Sequence, residues 1–122
     1  MIDKMRTLVF ALLAATAVAA CSSPSPQEQA QTAELAQLDA LKKTYDGVVM
    51  GFDFKGDTTL LVSLDIQNYI GMDDDAAAKM KADVLAKWKS AWVAAHPQQH
   101  AQITARMIDF VGRKIWEGTA KV

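Results

Sequence analysis

The residues that decide the fold are 73–95, which read DDDAAAKMKADVLAKWKSAWVAA. At 100° per residue, most of the larger apolar side chains of this stretch fall within an arc of roughly 140°, which is typical of an amphipathic helix packed on a core. Asp73 is a good amino-terminal cap, and the two acidic residues after it favour the positive end of the helix dipole. Pro97 disfavours helical geometry at His96, so we expect the helix to end there.

The residues before this helix alternate between apolar and polar, which indicates two strands. The first runs over 48–54 and the second over 60–66, with turn chemistry at Lys55-Gly56-Asp57 between them. The pattern predicts an antiparallel hairpin with one apolar face. The side chains expected on that face are Val48, Met50, Phe52, Phe54, Leu60, Val62, Leu64 and Ile66.

The residues after the helix predict a second hairpin, with strands over 101–110 and 114–122 joined at Val111-Gly112-Arg113. The alternation is less regular here, and a helix over 102–111 is the competing interpretation. The β-branched content and Gly112 favour strands.

A further helix is expected over 27–45, where good helix formers dominate and leucines recur at spacings of three and four. The narrow apolar stripe consists of Leu35, Leu38, Leu41 and Tyr45. We interpret this helix as a solvated spacer that docks through its carboxyl-terminal half. The alternative is a helix that pairs with a partner, but the stripe is too short for a sustained heptad pattern.

These elements predict an α+β domain over 45–122. It has two layers: a four-stranded antiparallel sheet, made of two hairpins, packs on the one amphipathic helix that carries Trp88 and Trp92. The sequence does not determine the order of the strands.

The first twenty residues have the organisation of a signal peptide. Lys4 and Arg6 precede an uncharged stretch over 7–20, which is too short to span a bilayer of about 30 Å. The junction Val18-Ala19-Ala20-Cys21 resembles the lipobox of bacterial lipoprotein precursors. The resemblance implies cleavage before Cys21 and lipid attachment to that cysteine, with residues 21–26 as a Ser/Pro-rich tether. The alternative is an ordinary secretory signal that leaves Cys21 as a free thiol.

The environment of the mature protein follows from this signal. In lipoproteins of the enterobacterial type, the absence of Asp after the cysteine favours the outer membrane, so the expected location is its periplasmic face. The membrane is then a partner through the lipid, which is the only bound group that we expect. Removal of Asp3, Lys4 and Arg6 with the signal changes the net charge from −1 to −2, which offers no basic surface for nucleic acid.

The residues that carry chemistry are few. His96 and His100 lie four apart, but Pro97 separates them and no third ligand accompanies them, so they are weak candidates for a metal site. No catalytic motif is present, and we expect no enzyme activity. The candidate binding surface consists of Ile108, Phe110 and Trp116.

The leading functional interpretation is a noncatalytic envelope lipoprotein that acts as a binding or accessory module of a larger assembly, with an envelope protein or a second copy as partner. A carrier of a ligand or metal, using the interface between helix and sheet, is the alternative. A small hydrolase comes third, and it would need a histidine within reach of a carboxylate and a nucleophile.

Overall fold

The computed structural model describes residues 23–122, so the expected signal peptide and Cys21 lie outside the described residues. The helices are α1 (Pro26–Thr44), α2 (Ile66–Ile70) and α3 (Asp74–Ala95). The strands are β1 (Val49–Lys55), β2 (Thr59–Leu64), β3 (Gln102–Ile108) and β4 (Lys114–Lys121). Within this part of the chain, no helix is both long and apolar enough to cross a membrane.

The α+β class is confirmed, and the sheet has the order β1-β2-β3-β4. Both hairpins are antiparallel, but β2 and β3 pair in parallel, so the prediction of a purely antiparallel sheet is wrong. The cause is the connection between the hairpins. Helix α3 has 22 residues and carries the chain back along the sheet, so that β3 starts at the same end as β2.

Helix α3 begins and ends as its sequence predicts. The Asp73 side chain accepts a hydrogen bond of 2.7 Å from the Ala76 N–H, and His96 is the carboxyl-terminal cap. Trp88 and Trp92 are fully buried against the sheet, and the Phe54 and Trp88 rings lie 5.9 Å apart between centroids. This interface supplies most of the core.

The sheet packs on two long helices, and not on one. Leu38 and Leu41 of α1 are buried in the same core as Trp88. The Tyr45 hydroxyl, just after α1, donates to the Asp83 carboxylate of α3, and Lys79 donates to the same carboxylate at 2.8 Å. The carboxyl-terminal half of α1 is therefore part of the domain.

Two local differences from the expected strands have simple causes. A bulge in β1 pairs Val49 with Leu64 and Gly51 with Ser63, which turns Val49 into the core and leaves Met50 exposed. Ile66 does not continue β2 because Asp65 caps α2, accepting a hydrogen bond of 3.1 Å from the Asn68 N–H.

Candidate functional site

The three residues of the predicted binding surface do not share one surface. Trp116 lies on the side of the sheet that faces the helices, because it pairs with buried Met107 and its ring folds over Gly118. Ile108 is half-buried at the end of β3. Phe110 lies in the β3–β4 turn, with 88% of its surface exposed.

Phe110 nevertheless lies at the same end of the sheet as three other exposed apolar side chains. The register places the start of β1 beside the ends of β2 and β3. Of the six exposed large apolar side chains among residues 23–122, four lie at this end. We call it the distal end, and it carries Met50, Ile70, Phe110 and Val111.

The turn that presents Phe110 and Val111 is held by Asp109. This nearly buried carboxylate accepts hydrogen bonds from the Val111 N–H at 3.1 Å and from the Arg113 N–H at 2.9 Å, and Arg113 Nε adds a third contact at 2.9 Å. Although desolvation opposes it, hydrogen bonding to Arg113 holds the pKa of Asp109 below its ordinary value. The two apolar side chains are therefore exposed on a structured turn.

The opposite end of the sheet holds a cluster that sequence reasoning missed. His96 is buried at the end of α3, and its ring stacks on Trp92 with 4.2 Å between centroids. His96 Nδ1 lies 2.9 Å from the Trp92 carbonyl oxygen, and Nε2 lies 3.0 Å from Asp57 Oδ1. Trp92 Nε1 donates to the Asp57 carbonyl oxygen at 3.0 Å. These bonds join the β1–β2 turn to the end of α3, and we call the three residues the platform.

The platform limits what His96 can do. A carbonyl oxygen and an ionised carboxylate only accept hydrogen bonds, so the ring satisfies both contacts when it carries a proton on each nitrogen. Both ring nitrogens therefore already face hydrogen-bond acceptors of the domain, the Trp92 carbonyl oxygen and the Asp57 carboxylate.

Glu34 of α1 lies within electrostatic reach of the platform. Only 1% of its surface is exposed, and its Oε2 atom is buried without a hydrogen-bond partner. Burial raises the pKa of this carboxyl to about 7, although the His96 charge opposes the rise and the Asp57 charge adds to it. Glu34 is thus a carboxylic acid that changes charge near neutral pH.

A cavity of about 320 Å³ opens between α1 and the platform. It is lined by Pro26, Gln27, Ala30, Asp57, Ala95, His96 and Gln99. Ala30 lies one helical turn before Glu34 on the same face of α1. The cavity therefore marks where the amino-terminal half of α1 meets the rest of the domain.

The structure does not join the two histidines in a metal site. His100 is exposed and its Nδ1 atom lies 3.2 Å from the Val122 carbonyl oxygen, whereas His96 is buried in the platform. Among residues 23–122, no group of three or more His, Cys, Asp or Glu side chains is placed to hold a metal ion.

The fold and these two ends define a small two-layer α+β domain with a structured apolar tip and, at its other end, a buried Glu34 and His96 beside the exposed Asp57. No protein-family model, curated protein or solved structure matches the chain.

Proposed function

We propose that the chain is a lipid-anchored protein of the bacterial envelope, without catalytic activity, that binds a partner protein through its distal end. The observation that carries this proposal is the exposure of Phe110 and Val111 side by side on a structured turn, at the end of the sheet where Met50 and Ile70 are also exposed. An exposed apolar region of this kind marks an interaction surface in many proteins. Phe110 and Val111 supply its most prominent part.

The position of the expected anchor supports this arrangement. Cys21 precedes the first residue of α1 by five positions, and α1 begins beside Asp57 and Gln99, at the end of the sheet opposite the distal end. Two or three acyl chains on Cys21 would hold that end at the bilayer, since one chain alone binds only marginally. The distal end would then point away from the membrane that carries the anchor.

The structured turn supports a protein as the partner. Because Asp109 already fixes the backbone around Phe110 and Val111, little conformational entropy is lost when these side chains are buried in an interface. Arg113, whose Nε contacts Asp109, and Lys114 follow Gly112 and are exposed, so a partner with an apolar pocket and an acidic rim fits this end.

The two other candidate functions have less support. Trp88 and Trp92 fill the interface between helix and sheet, which leaves little room there for a carried ligand. His96 has a carboxylate within 3.0 Å, as a hydrolase would need, but its other nitrogen faces a backbone carbonyl and not a nucleophile.

The experiment is in-cell crosslinking followed by purification from detergent-solubilised envelopes. The natural chain is compared with a double variant, Phe110→Ser with Val111→Ser, and with a control double variant, Leu35→Ser with Val93→Ser, which changes exposed apolar residues on the helices. We expect the natural and control chains to recover the same partner and the distal variant to lose at least nine-tenths of it.

A Cys21→Ser variant tests the anchor separately, and it should leave the membrane fraction. Recovery of the same partner in equal amount by the distal variant would contradict the proposed surface. Recovery of a self-dimer alone would contradict the proposal that the partner is a different protein.

A further inference from the structure

The amino-terminal half of α1 has few apolar contacts with the domain. Over residues 26–33, only Ala30 and Gln31 are even partly buried, whereas Leu38 and Leu41 in the second half are core residues. Glu34 is the first fully buried residue of the helix. It stands at the boundary between the half that is packed and the half that is not.

Glu34 occupies this boundary without a partner for Oε2. An uncharged carboxyl is tolerated there at the modest cost of one unsatisfied polar atom, but an ionised one loses the hydration that stabilises its charge. The hydration can be regained if the amino-terminal half of α1 moves away, because the cavity beside Ala30 already opens at this place.

The groups that face Glu34 oppose each other in charge. Among the described residues, the charges that act on it are those of His96, from the end of α3, and Asp57, from the β1–β2 turn. His96 favours the ionised carboxyl and Asp57 disfavours it. Because these two already pair at 3.0 Å, neither is drawn to Glu34 as a direct partner, and ionisation of Glu34 adds a negative charge that no contact offsets.

We propose that the Glu34 carboxyl is a proton-dependent latch, which holds the amino-terminal half of α1 against the platform when protonated and loosens it when ionised. The latch changes the reach of whatever precedes α1. Eight helical residues span about 12 Å, and the same residues extended span up to about 27 Å. This inference does not depend on the proposed partner or on lipidation.

Hydrogen exchange tests the latch on the full chain in detergent, with protection factors corrected for the intrinsic rate at each pH. In the natural chain we expect the protection of amides 30–36 to fall roughly thirtyfold between pH 5.5 and pH 8, because the opened state ionises Glu34 more readily. The protection of amides in β2 and β3, which reports on the core, should change far less over the same pH range.

Glu34→Gln, which keeps the shape and cannot ionise, should abolish the change with pH. Glu34→Leu should abolish it as well and raise protection at both pH values, so the test survives if one variant fails to fold. Glu28→Gln, at an exposed position in the first turn of α1, is the matched control and should keep the natural response. A change of less than threefold in the natural chain, or the same change in both Glu34 variants, would overturn the latch.

Discussion

Replacing Glu34 by glutamine should stabilise the protein at high pH and have little effect at low pH. The carboxyl is held at a pKa of about 7 in the folded chain, against 4.5 for an unperturbed glutamate. The folded state therefore binds more protons than the unfolded state between these two values. Because the pKa is raised, the stability of the natural chain is greatest below pH 4.5 and falls as the pH rises towards 7.

The size of the effect follows from the same two values. A difference of 2.5 pKa units corresponds to about 3 kcal/mol when the linkage is complete, and about 2.5 kcal/mol of this develops between pH 5 and pH 8. The glutamine side chain of the variant does not ionise, so the free energy of unfolding of the variant should not decrease in this way as the pH rises. Titrating groups that do not interact with Glu34 are shared by both proteins and cancel in the difference, whereas His96 and Asp57 interact with it.

The assay is urea unfolding followed by tryptophan fluorescence, since Trp88 and Trp92 are buried and will report the loss of the core. The difference in unfolding free energy between Glu34→Gln and the natural chain should grow by about 2.5 kcal/mol from pH 5 to pH 8. Glu28→Gln should show no such growth. If the difference stays constant within about 0.5 kcal/mol, a fifth of the expected growth, then Glu34 is hydrated in the folded protein and the reasoning fails.

Two further predictions concern packing away from this cluster. Gly118→Ala should destabilise the domain by about 1–3 kcal/mol, because the added Cβ would lie 2.5 Å from the Trp116 ring, with Leu85 at 3.5 Å. The control is Gly51→Ala, where a Cβ meets nothing within 4 Å. An equal loss of unfolding free energy in both variants would contradict the close contact at Gly118. Tyr45→Phe should cost about 1 kcal/mol through the loss of the hydroxyl that donates to Asp83; thermal melts check this, and no change in Tm would mean that α1 and α3 do not depend on that bond.

The elements of the fold could be predicted from local patterns, but the pairing of the hairpins was predicted wrongly. The Asp73 cap and Pro97 set the limits of α3, and the alternation of β2 set its buried face. The direction of β3 relative to β2 depends on the connection between them. A helix about 33 Å long between two strands returns the chain to the starting end of the sheet, which favours parallel pairing. The long helix between the strands is visible in the sequence, but the two hairpin patterns favour an antiparallel sheet when they are considered alone.

The platform was harder to foresee because its contacts join distant parts of the chain. His96 and Asp57 are 39 residues apart, and neither has a motif around it. The sequence predicts Asp57 as a turn residue and His96 as a polar residue that follows a helix. Both descriptions are correct for the local sequence. The stacking of His96 on Trp92 and its hydrogen bond to Asp57, however, arise only when the β1–β2 turn packs beside the end of α3.

Glu34, in contrast, could have been found from the periodicity of α1. The leucine spacing places Leu35 in the apolar stripe with Leu38, Leu41 and Tyr45, yet Leu35 is 39% exposed. On a helix with 100° per residue, Glu34 falls roughly 15° from the centre of the stripe formed by the other three, and Leu35 falls roughly 90° away. A carboxylate at the centre of a buried stripe must be paired, be neutral or keep the helix from packing. The structure shows no hydrogen-bond partner for its Oε2 atom, which is why we expect the protonation state of Glu34 to control how firmly α1 is held.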